Sequence, residues 1–368
     1  CYDSIEGVTV WGSLQCPYYI HKALMPLFAL PAEKIRIIQA ETGGGFGGKE
    51  EFPSLLAGHC ALLAFKAKRP VKMIYSRTED MANTTKRHPS RTRHKTAVDA
   101  SGRLLAMDIE FLLDGGAYLT LSSVVLSRGC VHSAGPYKCE NVNITAKAMA
   151  TNTFPYGAFR GFGAPQSIFA LERHLDVIAE TIGLSPIEIR RRNFLHQGDQ
   201  TATGQVLREE PGFNEMLDRA LRETDFQAKQ DLFTKTNPQS KVKRGIGLAS
   251  FMHGAGFTGS GEAFMGSIAA VQANTQGQLE VLASSAEIGQ GKNTVFTEIV
   301  TQALPLMPQD ICIINPDTHL VPDSGPTVAS RTSMVVGKLI ESAAIGLRQR
   351  LCAEGYLDAI DLSREKLL

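Results

Sequence analysis

Glu50 closes the run Thr42-Gly43-Gly44-Gly45-Phe46-Gly47-Gly48-Lys49-Glu50, which holds five glycines around one aromatic ring. Glycine lacks a Cβ, so such a loop can take positive φ and bring bare backbone N–H groups against a ligand. The chemistry it suits is close approach to a large anionic group, with a carboxylate waiting at the loop's end. Gly43, Gly45 and Gly48 also satisfy G-x-G-x-x-G, the dinucleotide-binding pattern, with Glu79 or Asp80 as a candidate ribose-binding acid downstream. Phe46 argues against that reading, because its ring would stand where backbone must meet a pyrophosphate. A purely structural tight turn is the third reading.

Four other segments set small and polar residues at the junction of two elements. They are Gly12 to Gln15, Gly157 to Gln166, Ala286 to Gly291 and Gly325 to Ser333. Three of them lead into helices, whose N-termini offer free N–H donors and the positive end of the dipole. Meeting in space, such loops would cradle an anionic, polar cofactor held mostly through backbone. Taken singly, Glu50 reads as a helix-dipole partner, Arg128 as a surface arginine and Phe162 as a core ring. Together they suit a flat polar heterocycle, which wants π-faces above and below and charged partners at its edge. His88, His94 and His132 show no metal-ligand spacing.

The elements that must position these groups alternate irregularly. Val8–Gln15, Lys34–Ala40, Val71–Ser76, Thr92–Asp99 and Leu104–Leu113 read as strands, the last two as a hairpin over residues 100–103. Ser54–Lys66, Gln166–Ile182, Ser185–Asn193 and Phe213–Thr224 read as helices; the third opens on a Ser185 cap, Pro186 and Glu188. No regular βαβαβ alternation follows the glycine run. Residues 227–244 read as a polar linker ending in a basic run, Lys241, Lys243 and Arg244. Beyond it come a strand Gly245–Phe251, a hairpin Ser267–Ser284 turning near Gly277, a helix from about Asn293, a strand Asp310–Asn315 and a last helix from about Ser330. The division expected is therefore 1–235 and 236–368. A chain of 368 residues at 43% hydrophobic and 20% charged is an ordinary globular composition, too long for one core. The net charge of +1 points to no nucleic acid, and no apolar run reaches the length of a membrane span. Seven scattered cysteines without C-x-x-C form neither a disulfide framework nor an iron–sulfur or zinc ligand set, and suit a reduced, cytoplasmic protein. The start at Cys1, without a leader pattern, reads as a fragment or processed chain.

The motifs Gly-Gly-Gly-Phe-Gly-Gly-Lys-Glu, Ala-Phe-Arg-Gly-Phe-Gly-Ala-Pro-Gln, Gly-Gln-Gly and Thr-Val-Ala-Ser, in this order and spacing, resemble those of the molybdenum hydroxylases, the xanthine dehydrogenase/aldehyde oxidase family. The resemblance spans the chain. It implies an α+β fold of two elongated, mixed molybdopterin-binding domains, the second incomplete. It implies that Gln15 lies beside the metal's apical oxo group and that Gly45, Phe46 and Gly47 form the loop over the metal. Arg160 and Ala329 match backbone contacts near the metal. Gly289, Gln290 and Gly291 match the pterin-holding loop, and Ser330 matches the pterin and phosphate cradle. Gln15, Phe46, Arg160 and Ala329 would thus surround the metal without ligating it, since the pterin dithiolene does.

On the substrate side, Glu50 matches a purine-binding glutamate, Arg128 a purine-binding arginine and Phe162 a stacking ring. Phe257 matches a second stacking ring, less firmly because an insertion, Gly259 to Glu262, follows it. The implied reaction is hydroxylation of a purine-like carbon with oxygen from water. Nicotinate-like heterocycles or aldehydes on the same scaffold, or a non-catalytic fragment, are the alternatives. The implied cofactor is molybdopterin, as such or as its cytosine dinucleotide, with molybdenum; iron–sulfur and flavin groups would lie on partner chains or further segments of a multimeric assembly. The family's catalytic base, a glutamate, is expected past the C-terminus, so no catalytic residue is assigned, and Gly261-Glu262 stands in the wrong place to be it.

Overall fold

A computed structural model describes residues 2–3, 7–258 and 261–356. Cys1, Ser4, Ile5, Glu6, Gly259, Ser260 and the residues after Tyr356 lie outside the described residues. In chain order the elements are β1 (Tyr2–Asp3), β2 (Gly7–Gly12), α1 (Pro17–Phe28), β3 (Ile35–Gln39), α2 (Pro53–Ala67), α3 (Arg77–Asn83), β4 (Ser90–Val98), β5 (Leu104–Gly116), α4 (Ser122–His132) and β6 (Asn141–Ala150). There follow α5 (Ala164–Ile182), α6 (Pro186–Asn193), α7 (Phe213–Glu223), α8 (Phe226–Thr236), α9 (Gly261–Met265), β7 (Ala270–Ala273), β8 (Leu279–Leu282), α10 (Lys292–Ala303), β9 (Ile311–Ile313) and α11 (Gly337–Ala353). A π-helical turn, Thr332–Val336, leads into the last of these.

The strands form three sheets of one topology: β1-β2-β3, β4-β5-β6 and β7-β8-β9. In each, the first two strands pair antiparallel and the third lies parallel to the second. The parallel step needs a crossover, and a helix follows the central strand each time: α1, α4 and α10. No sheet is the extended parallel array that dinucleotide binding requires. Glu79 is spent elsewhere as well. Its backbone N–H donates to Ser76 Oγ at 3.2 Å and its Oε2 accepts from Ser76 N at 2.7 Å, a capping box that starts α3. The dinucleotide reading is therefore withdrawn.

Backbone contacts divide the chain into two interleaved compact units. The first holds residues 1–87, 152–160 and 254–368; the second holds 88–151 and 161–253. The cut differs from a linear one at residue 235. The first unit has two cores. Val8, Ile35 and Ile37 of its first sheet pack on Ile20 and Leu24 of α1 and on Ala57 and Ala61 of α2. Leu279 and Val281 of its other sheet pack on Phe296 and Val300 of α10 and Ile340 of α11. In the second unit, Met107 and Ile109 of β5 meet Leu171 and Leu175 of α5, with Phe194 and Phe213 stacked at 5.2 Å.

Three readings of the sequence need correction. Residues 71–76 make no strand and run extended into α3. Residues 245–251 make none either: the Ser250 N–H donates to Glu172 Oε2 at 2.9 Å, so a side chain takes the place of a ladder partner. Part of the supposed linker is helical, because α8 has one apolar face and buries Phe226. The sequence reading also passed over α1, α4 and β6. The first begins at Pro17, a residue at home in a first turn, and carries a second proline, Pro26, near its end.

Candidate functional site

In the first unit, Gln15 sits just beyond β2 and is 3% exposed. Its backbone N–H donates to Lys49 O at 2.9 Å and its carbonyl accepts from Thr327 N at 3.2 Å. The side chain is fixed too. Oε1 accepts from Gly47 N at 3.0 Å and Lys49 N at 3.3 Å, while Nε2 donates to Thr327 O at 2.9 Å. An amide nitrogen has two hydrogens, so one donor remains, held in a set direction. Gln15 thus binds the glycine loop to the 324–331 segment.

The glycine loop packs backbone to backbone on a second loop of the same unit. A Cβ at Gly47, where φ is +94°, would stand 2.9 Å from Phe159 Cα. One at Gly45 would stand 2.3 Å from Gln15 Oε1. Phe46 has φ 53° and is 59% exposed, with the Arg160 guanidinium 5.8 Å from its ring. Arg87 holds the second loop, donating to Arg160 O at 2.7 Å while lying over Phe159.

Glu50 follows and is 2% exposed. Burial, and then the neighbouring Glu51, push its carboxyl up to about 8, so it keeps its proton at neutral pH. Glu51 is pushed up to about 7 by burial, an effect the Ala158 N–H partly offsets, and its Oε1 is buried without a partner. Burial, and then Glu50, also push the Cys16 thiol up, which leaves it inert.

The Gly-Gln-Gly loop precedes α10. Gly289 and Gly291 have φ of +101° and +81°, and a Cβ at either would meet open space. Much of the loop's donor capacity turns inward. Glu287 accepts from the N–H groups of Gly289, Gly291 and Asn293 at 2.9–3.2 Å. The Gln290 amide accepts from Ile288 N and donates to Ala286 O. Gln39 clasps the Glu287 peptide, donating to its carbonyl at 2.6 Å and accepting from its N–H at 3.2 Å. Ala329 and Ser330 are both left-handed at φ 53°, and Ser330 is exposed. Phe257 is half-buried, its N–H donating to Glu262 Oε1 at 2.9 Å.

The second unit carries Arg128 and Phe162. Arg128 lies in α4 and is 3% exposed, so it is no surface arginine, and burial lowers its pKa from the usual arginine value. Phe162 has φ 52° and packs on Phe111, Leu113 and Val125. A Cβ at Gly129 would lie 3.2 Å from Gly163 O, so the residues next to Arg128 and Phe162 abut. The histidines are structural neighbours here: His88 bonds Ser122 Oγ, His94 stacks on His174 and His132 on His253. Among the described residues no cluster of three or more His, Cys, Asp or Glu side chains could hold a metal, and no helix is long and apolar enough to cross a membrane.

Two models of the molybdopterin cofactor-binding domain match the chain, over residues 2–194 and 219–365. The chain belongs to the molybdenum hydroxylase family. Among curated hydroxylases of this family it is 36% identical over 332 residues to a probable xanthine dehydrogenase subunit of Bacillus subtilis, covering 89% of this chain and 43% of that one. It is 43% identical over 219 residues to the nicotinate dehydrogenase large molybdopterin subunit of Eubacterium barkeri, covering 60% of this chain and 51% of that one. Among solved structures it superposes on the aldehyde oxidoreductase of Desulfovibrio gigas with a TM-score of 0.81 at 27% identity, over 95% of this chain and 38% of that one. Quinoline 2-oxidoreductase of Pseudomonas putida 86 gives 0.82 at 26% identity, over 95% and 46%. The chain therefore spans about half, or less, of the length of these relatives.

Sequence reasoning missed Gln39, Glu51, Glu287 and the Arg331–Glu262 pair. Gln39 had a visible signal. Ile35, Ile37 and Gln39 share the buried face of β3, and an amide ending an apolar face must find a polar partner inside.

Proposed function

We propose that this chain holds molybdopterin with molybdenum and forms the cofactor and substrate portion of a hydroxylase acting on a planar N-heterocycle of the purine type. One observation carries the reading. Of eight non-glycine residues with positive φ among the described residues, four (Phe46, Phe162, Ala329 and Ser330) fall in the segments named for cofactor or substrate. Such backbone is costly for residues with a Cβ, and strain of this kind gathers at ligand sites. Ala29 and Lys68, by contrast, cap the ends of α1 and α2.

The residues fit the group. Gln15 would offer its remaining N–H, and Phe46, Gly47, Arg160, Ala329 and Ser330 would offer backbone; Gly45 keeps that approach clear. Gly289, Gln290 and Gly291 would line the pterin as an open surface. When bound, the cofactor supplies Lewis acidity and a sink for electrons. Glu50, protonated at neutral pH, can donate one hydrogen bond and accept another at a ring edge. Arg128 would offset negative charge growing on the ring. Phe162 and Phe257 each offer an aromatic face on which a flat ring could stack. No residue of this chain is assigned as the base. The linear segments 1–235 and 236–368, iron–sulfur and flavin modules on partner chains of a multimeric assembly, and a cytoplasmic location belong to the same proposal. Two of the relatives are themselves subunits of larger enzymes, and this chain has no C-x-x-C; both support it.

A second reading, a nicotinate-like substrate, is favoured by the 43% identity to the nicotinate dehydrogenase subunit. Molybdenum and pterin content of the purified protein is the first test, and a protein free of both sinks the proposal. Glu50→Val then separates the substrates. Loss of purine turnover supports the purine reading, and purine turnover indifferent to the change supports the second.

A further inference from the structure

Arg331 directly follows the left-handed pair Ala329–Ser330 and is fully buried. Its Nε donates to both Glu262 oxygens at 3.1–3.2 Å, and Nη2 donates to Glu262 Oε2 at 2.8 Å and Ser267 Oγ at 2.7 Å. Nη1 donates to Ser324 O at 2.8 Å and Pro326 O at 3.4 Å. The other end of the pair reaches the Phe257 loop, because Glu262 Oε1 accepts the Phe257 N–H at 2.9 Å. A backbone bond of 2.8 Å, Gly256 N to Ala329 O, runs alongside. The surroundings are cut to fit. A Cβ at Gly325 would stand 2.8 Å from Arg331 Nη1, and one at Gly256 would stand 3.2 Å from Glu262 Oε1. Both glycines have positive φ.

With Arg331 buried and the Glu262 side chain 26% exposed, the pair adds little net stability over apolar residues of the same volume, whereas its directional, two-pronged geometry fixes register. Residues 245–258 form no strand or helix, so no ladder holds Phe257 in place. We propose that Arg331 and Glu262 are a positioning pair: they lock the loop carrying Phe257 onto the Ala329–Ser330 turn and so set the wall against which a flat heterocycle lies. This rests on the functional reading above. It also accounts for Glu262, whose carboxylate is committed to an arginine and a backbone N–H and is not available as a base.

The test uses the assembled holoenzyme, the heterocycle it turns over, and three variants: Glu262→Gln, Arg331→Lys and the apolar double change Glu262→Leu with Arg331→Met. The double variant removes the directional pair without leaving one charge buried alone. It should fold and keep its full pterin content, while KM rises about tenfold or more and kcat changes less than about threefold. Arg331→Lys, which keeps the charge and loses the fork, should raise KM in the same direction. A double variant with full pterin and unchanged KM overturns the inference alone. So does pterin content that falls in step with KM, since the pair would then serve the cofactor cradle. A wild-type protein without molybdopterin overturns the functional reading, and this inference with it.

Discussion

Single side chains in the first unit hold their states against strong opposing terms. Glu50 is the clearest. Its carboxyl is raised from 4.5 to about 8, with burial the first cause and Glu51 the second. A group raised in the fold contributes stability fully below its unfolded pKa and loses it as pH rises through the folded value. Wild-type protein should therefore lose on the order of a few kcal/mol between pH 5 and pH 9 from this residue. Glu50→Gln should flatten that slope, which thermal melts across the range would show; equal slopes would refute the assignment. Gln15 makes a second prediction. Gln15→Leu strands the part-buried N–H groups of Gly47 and Lys49 and the buried carbonyl of Thr327. At about 1–3 kcal/mol for each orphaned group, the variant should be destabilised by several kcal/mol in urea titration and retain less pterin.

Elements show why some of the fold could be read in the sequence. The hairpin Ser90–Val98 with Leu104–Gly116 was visible because an Asp99-to-Arg103 turn separates two alternating runs. The Ser185 cap was visible for a similar reason: its hydroxyl accepts the Glu188 N–H at 3.0 Å, a local bond written in local residues. The crossover helix α4 was hidden, since Ser122–His132 is rich in β-branched valine and buries Ser122, Arg128 and Gly129 beside Val125, so its buried face is not its apolar one. The repeated strand–strand–helix–strand topology was hidden too, because it is a repeat of pairing and not of residues. The positive φ of Gly44 and Gly47 was legible in the glycine loop's own residues, whereas its tie through Gln15 to Thr327 was not, because those partners lie far off in sequence. In the second unit, Arg190 ties α6 to α5 through Glu172 and Asp176, and Glu172 also accepts from Tyr137 and Ser250. Arg190→Ala leaves a buried carboxylate without its cation. The expected cost is about 3–5 kcal/mol by chemical denaturation, far above that of Arg219→Ala at an exposed pair.

At the scale of the molecule, the first unit is made of residues 1–87, 152–160 and 254–368, so in sequence the whole of the second unit falls between its outer two pieces. Gln15 meets its acceptor on Thr327, 312 residues later. A ribosome delivers roughly 5–20 residues per second, so that bond waits on the order of 15–60 s after Gln15 emerges. For that interval the glycine loop lacks its tie to Thr327, while residues 8–61 and residues 88–253 can each already close a core of their own. Chains ended at Thr258 should accordingly protect both of these cores from protease and leave the glycine loop, residues 42–50, open to cleavage; a loop as well protected as in the 368-residue chain would refute this order of events. The glycine loop is made well before Thr327 and finished only after it, and cofactor loading has to wait for that.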